Sequence, residues 1–260
     1  MTLIDLLDTE TFDDVGVIPW SSPVPAFGDP MQSHVATVGL NPSNREFVDP
    51  AGKELGGPSR RFHTLTSLRL SSWGEVDVHH IREMVLYCHT YFERNPYNRW
   101  FRVLDRLLHG TGVSYFGDGG LCHLDLVPYA TSCKWGHLAA PHRSALLQVG
   151  AIALSRLLRG SPIRVLILNG RSVVTYFENV FNVILSSEEM PSWSLPRKNG
   201  SVVPGFAYHG VVETLGETRL DHRIVVLGFN HNLQSSFGVT NGARDAIRCW
   251  IARGLGGASS

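Results

Sequence analysis

Four short apolar runs limit what this chain can become. They are Val35-Ala36-Thr37-Val38, Leu121-Cys122-His123-Leu124, Ile163-Arg164-Val165-Leu166-Ile167-Leu168 and Ile224-Val225-Val226-Leu227. Each is too short for an ordinary helix and too apolar for a surface strand, and Gly, Asp, Asn or Pro follows within a few residues, so each reads as a buried strand. Helical spacing appears between and after them, over residues 62–70, 78–93, 98–108, 143–158 and 239–255. Strands alternating with helices predict an α/β fold, a mostly parallel sheet covered on both faces. In the helix over 78–93, Ile81, Val85, Leu86 and His89 share one face, which predicts that this face meets the core. Trp100, Phe101, Val103, Leu104, Leu107 and Leu108 give the helix over 98–108 the same reading.

Residues 1–30 hold Pro19, Pro23, Pro25 and Pro30 and read as an extended arm over the body. Residues 44–61 read as a long ordered loop across the mouth of the sheet, and residues 186–205 as a surface excursion. With 260 residues, 43% of them hydrophobic, the chain is expected to form one domain over 1–260. Formal net charge is zero, so nucleic-acid binding requires a local basic patch rather than the field of the whole protein. Cys88, Cys122, Cys133 and Cys249 lie far apart and suggest no disulfide framework. No run approaches about 18 apolar residues, so a cytoplasmic, monomeric protein without membrane contact is expected. His, Cys and carboxylate spacing suggests no metal site, and no cofactor is expected.

Two strand ends carry the most informative residues. Gly39-Leu40-Asn41-Pro42-Ser43 follows the first run, and Gly228-Phe229-Asn230-His231-Asn232 follows the last. Together they resemble the paired motifs of the uracil-DNA glycosylase superfamily, a three-layer α/β/α fold with Gly-x-Asp/Asn-Pro at one strand end and a His-Pro-Ser-like motif near the carboxyl terminus. The asparagine form of the first motif is similar to the mismatch-specific branch. Leu55-Gly56-Gly57-Pro58-Ser59-Arg60-Arg61-Phe62 resembles that branch's next pattern, and Leu124-Asp125-Leu126-Val127-Pro128 resembles the strand whose asparagine reads the flipped base. The second motif departs from His-Pro-Ser, Leu55 stands where an aromatic stacks on the base, and Asp125 replaces the reading asparagine. The iron-sulfur branches use closely paired cysteines that are missing here, so no cluster is expected.

The resemblance implies a monofunctional hydrolase that cleaves the N-glycosidic bond of a flipped base. Asn41 would orient water and His231 would hydrogen-bond the departing base. Leu40, Leu55, Asp125 and Phe62 would contact the base, while Pro42, Ser43, Arg60, Arg61, Arg171, Asn230, Asn232, Ser235 and Ser236 would hold the DNA backbone. An ionised Asp125 only accepts hydrogen bonds, which suits the amino group of cytosine better than the O4 of uracil. Protonated by burial, the same group would donate instead. Ordinary cytosine is not a tolerable substrate, so a modified cytosine of viral DNA is the expected target, and antiviral defence the expected role. Four other readings stay open: conventional uracil or mismatch repair, hydrolysis of free nucleosides, a DNA- or partner-binding module without turnover, and an Asp125 that is purely structural, paired with His123.

Overall fold

A computed structural model describes residues 3–8, 15–95, 98–197, 199–234 and 238–258. Its centre is a six-stranded sheet built from β1 (Val35–Gly39), β2 (Leu121–Asp125), β3 (Val165–Asn169), β4 (Ser186–Glu189), β7 (Phe206–Leu215) and β8 (Thr218–Phe229), while β5 (Leu195–Pro196) and β6 (Val202–Val203) form a separate small hairpin. The order is β2-β1-β3-β8-β7-β4. The first four strands run parallel, β7 returns antiparallel to β8, and β4 pairs antiparallel with β7. All four apolar runs are therefore neighbours in a mostly parallel sheet, as their composition predicts.

Strand alternation divides the core between the two faces. Ala36, Val38, Leu124, Leu166, Leu168 and Val226 face one way, against α5 (Ala140–Gly160) and α6 (Arg171–Phe181). Val35, Leu121, Val165, Ile167 and Leu227 face the other way. There they meet α4 (Arg99–Asp105), with Phe101 and Leu104, and α7 (Asn241–Ala258), with Ile247 and Ile251. Of the other helices, α1 (Leu65–Leu68) packs Leu65 and Leu68 with the first of these two clusters, α2 (Val78–His89) gives Met84 to the first and Cys88 to the second, and α3 (Tyr91–Arg94) gives Tyr91 and Phe92 to the second. No helix among the described residues is long and apolar enough to cross a membrane.

Three expectations need correction. The expected face of α2 points outward, with Ile81 40%, Val85 39% and Leu86 51% exposed, and it is Met84 and Cys88 that are buried. Trp100 is exposed as well, although Phe101, Leu104, Leu107 and Leu108 are core residues. The excursion over 186–205 carries the sheet's edge strand β4 and the fully buried Trp193, whose ring packs edge-on against Trp250 at 5.5 Å. The amino-terminal arm lies over the body as expected, and it also covers an edge. Phe27 and His123 exchange backbone hydrogen bonds of 2.8 and 2.9 Å, so the arm occupies the open side of β2.

Candidate functional site at the carboxyl edge of the sheet

In an open parallel sheet, ligands sit outside the carboxyl ends of the strands, where neighbouring connections leave in opposite directions. Here that point lies between β1, whose chain leads to β2 on one side, and β3, whose chain leads by way of α6 to β4 on the other. Register places Gly39 beside Asp125 and Asn169 beside Phe229, so the ends of all four parallel strands reach the same edge. Adjacent strands are roughly 4.8 Å apart, which puts the exits of β1 and β8 about 10 Å from one another.

Gly39 is required by space rather than by backbone angle. A Cβ there would stand 2.3 Å from Asp125 Oδ1 and 2.9 Å from His123 Nε2. The missing side chain admits the carboxylate and the imidazole to the end of β1. Both are buried, and His123 Nε2 lies 3.3 Å from Asp125 Oδ1. This is the pairing weighed from sequence as a purely structural role for Asp125. It occupies one oxygen, and Oδ2 has no protein partner among the described residues.

Asn41 leaves β1 half-buried, with its amide nitrogen turned inward. Nδ2 donates to the carbonyls of Pro42 at 3.1 Å and Tyr129 at 3.3 Å and to Thr131 Oγ1 at 3.1 Å. Carbonyl oxygens only accept, which fixes the amide's orientation and leaves Oδ1 as a free acceptor among the described residues. Leu40 is half-buried and packs on the α5 and α6 side of the core. Pro42 is buried, and exposed Ser43 caps the short turn Asn44–Glu46 by accepting from the Arg45 backbone N–H.

The second junction is differently committed. His231 is 5% exposed, and its Nε2 donates to the Trp193 carbonyl at 2.7 Å. Burial pushes its pKa down, against the opposing effect of that hydrogen bond. The neutral ring therefore offers only the Nδ1 lone pair, and the donor expected to serve a departing base is already in use. Asn230 is spent in the same way, accepting from Phe206 N–H at 2.8 Å and donating to the Pro204 carbonyl at 2.8 Å. Asn232 is exposed and accepts from the backbone N–H of Gln234 at 3.1 Å; Arg171 is exposed at the start of α6. Ser235 and Ser236 lie outside the described residues.

The loop leaving β1 contains a polar network of its own. Glu46 is buried, with Oε1 3.1 Å from Arg61 and Oε2 accepting from the Tyr91 hydroxyl at 2.7 Å. Burial raises its carboxyl pKa and the nearby Asp125 adds to the rise, while Arg61 and Tyr91 oppose it. Arg60 donates to the Tyr87 hydroxyl at 2.6 Å, and Arg94 stacks on the Tyr87 ring 3.9 Å from its centre. Arg60 and Arg61 thus hold the loop together and are only partly presented to solvent. Phe62, expected to contact the base, is 1% exposed and stacks on Tyr91 at 5.2 Å within the core. Leu55 is half-buried, its N–H bonded to the Phe47 carbonyl at 2.8 Å, and the glycines beside it are exposed.

Sequence reasoning missed Asn169, Thr131 and Glu46 as members of this region. Asn169 ends β3 at the edge, donates to Gln234 Oε1 at 2.9 Å, and keeps a buried Oδ1 unpartnered among the described residues. A polar residue closing an apolar run was the only available signal. Among the described residues no cluster of His, Cys, Asp and Glu has the geometry to hold a metal. Two concavities, one beside Ile184 and Arg223 and one beside His34 and Arg164, include none of these edge residues. The polar groups described above gather on the strand ends rather than in either of those hollows. No family model matches the chain, and no curated protein does.

Proposed function

We propose that the chain is a DNA glycosylase that hydrolyses the N-glycosidic bond of a flipped, amino-bearing pyrimidine, with a modified cytosine of viral DNA as its substrate. One observation carries the reading: Asn41, its amide nitrogen bonded to the Tyr129 carbonyl and Thr131 Oγ1 and its Oδ1 left as an acceptor, follows the end of β1, where Gly39 lies in register with the buried Asp125 of β2. An amide oxygen held in this way can orient a water molecule for attack on a sugar carbon that develops oxocarbenium character. Asp125 Oδ2 supplies an acceptor for an exocyclic amino group on the base. The helices on both faces and the mostly parallel sheet agree with the three-layer fold that the motif resemblance implies.

The commitment of His231 Nε2 to the Trp193 carbonyl favours a second reading. A protein that binds a flipped base or a nucleotide at this edge without releasing it needs no donor there. One experiment separates the two. Duplexes carrying uracil, mismatched thymine, cytosine, 5-hydroxymethylcytosine or its glucosylated form are incubated with the protein, and abasic sites are measured beside binding. Abasic sites in the modified-cytosine duplexes support the glycosylase. Saturable, base-selective binding without abasic sites supports the binding module, and neither signal refutes both.

A further inference from the structure

Behind Asp125 lies a chain of buried polar groups that the proposed chemistry does not use. His123 is two residues earlier on the same face of β2. Its ring is enclosed by Phe27, Trp100 and Phe101, at 5.5, 5.3 and 5.1 Å between ring centres. Nδ1 lies 2.7 Å from Thr37 Oγ1, and the same oxygen is hydrogen-bonded to the Tyr115 hydroxyl. Thr37, Tyr115 and His123 are 2%, 4% and 1% exposed, so water is not a ready partner for any of them. Burial pushes the Tyr115 hydroxyl well above its ordinary pKa, and it keeps its proton at neutral pH.

Only one direction of the chain gives both hydroxyl protons an acceptor among the described residues. Tyr115 O–H donates to Thr37 Oγ1, Thr37 O–H donates to a bare Nδ1, and the imidazole proton sits on Nε2, facing Asp125 Oδ1 at 3.3 Å. In the opposite direction Nδ1–H donates to Thr37 and Thr37 donates to Tyr115, whose own proton then has no acceptor among the described residues. If Thr37 accepts from both neighbours, its own proton is the one stranded. An unpaired buried donor is costly enough to decide the direction.

We propose that Tyr115, Thr37 and His123 form a one-way hydrogen-bond chain that fixes His123 as the neutral Nε2–H tautomer and thereby determines what Asp125 selects. With an N–H against Oδ1, Oδ2 is left as an acceptor that admits an N–H donor and rejects a carbonyl. The class of ligand group read there is an exocyclic amino group. Asp125 also acts electrostatically on Glu46, itself paired with Arg61, and on Tyr115. This inference rests on the glycosylase reading for its substrate, while the tautomer stands on geometry alone.

The test combines 15N NMR of the histidine rings, with His123 assigned through His123→Gln, and single-turnover base release from paired amino-bearing and uracil duplexes. In the wild type, Nε2 is expected to be protonated and Nδ1 bare. Thr37→Val should abolish that preference and lower the ratio of amino-bearing to uracil release by about tenfold or more, and Thr37→Ser should restore both. Tyr115→Phe, which leaves Thr37 in place, should produce a smaller change of the same sign and serves if Thr37→Val does not fold. A wild-type His123 protonated on Nδ1 or on both nitrogens overturns the chain, even if the protein is an active glycosylase. The expected tautomer with unchanged discrimination in both variants overturns the selecting role. The expected tautomer without release of any base overturns the glycosylase reading, and with it the assigned ligand class.

Discussion

Asn41 shows how a side chain can be locked for one task by bonds that have nothing to do with it. Asn41→Ala should lower base release by at least about tenfold, ~1.4 kcal/mol of barrier, in single-turnover assays. It should also lower stability by about 1–2 kcal/mol, because the carbonyls of Pro42 and Tyr129 lose their donor. An aspartate would be the stronger base in principle, but Asn41→Asp turns a carboxylate toward those same carbonyls and should be the less stable of the two variants in urea. His231 invites a sharper substitution. A glutamine side chain can still donate to the Trp193 carbonyl, so His231→Gln should keep most of the activity, while His231→Ala should lower the urea midpoint and leave that carbonyl unpaired. Inactivity of His231→Gln in a fully folded protein would return the histidine to the chemistry. Gly39→Ala should displace the Asp125 and His123 pair and abolish base discrimination, read from the same paired duplexes, because the atoms a Cβ would meet at 2.3 and 2.9 Å are the Asp125 carboxylate and the His123 ring, which must move to make room.

Strands were legible where both faces are buried, and less so where one face meets solvent. The four parallel strands read directly from their apolar runs, since strands covered on both faces have no polar alternation to obscure them. β7 and the first half of β8 did not read this way. Their burial alternates between inside and outside, and Val211, 57% exposed, offers no signal of direction. The α2 stripe misled because apolar residues at helical spacing report a shared face without saying what covers it. At the site, Gly39, Asn41 and Asp125 were readable because each breaks an apolar run. The commitment of His231 was not, since its partner lies 38 residues away in a segment that looked like a loop. One packing consequence follows for α5. Alanine ordinarily strengthens a helix relative to glycine by about 1 kcal/mol, yet a Cβ on Gly150 would stand 1.9 Å from the Leu126 carbonyl oxygen. Gly150→Ala should therefore destabilise the protein by about 2 kcal/mol or more in urea titration, and a gain in stability would show that α5 shifts freely against the exit of β2.

Across the whole molecule, stability should fall on mild acidification. Burial and the nearby Arg60 and Arg94 lower the His63 pKa to about 4, and burial lowers that of His231. For both, the unfolded chain binds the proton more readily, so their contribution is complete above the ordinary histidine value of about 6.5 and is lost as pH falls toward 4. Glu46, with its raised pKa, acts in the opposite sense, so the difference between wild type and His63→Gln is the useful measurement. Thermal melts from pH 7 to pH 4 should show a shallower decline in the variant, with a gap of up to about 3 kcal/mol at pH 4. The arm has a further consequence, concerning association rather than catalysis. With Phe27 bonded to His123, the middle of the strand that carries Asp125 is closed to a second molecule. A chain shortened through residue 30 would present that strand as a template. It should then assemble with itself as concentration rises, losing base selectivity as the added strand crowds His123, so a segment without reactive groups would set the concentration at which the protein can work.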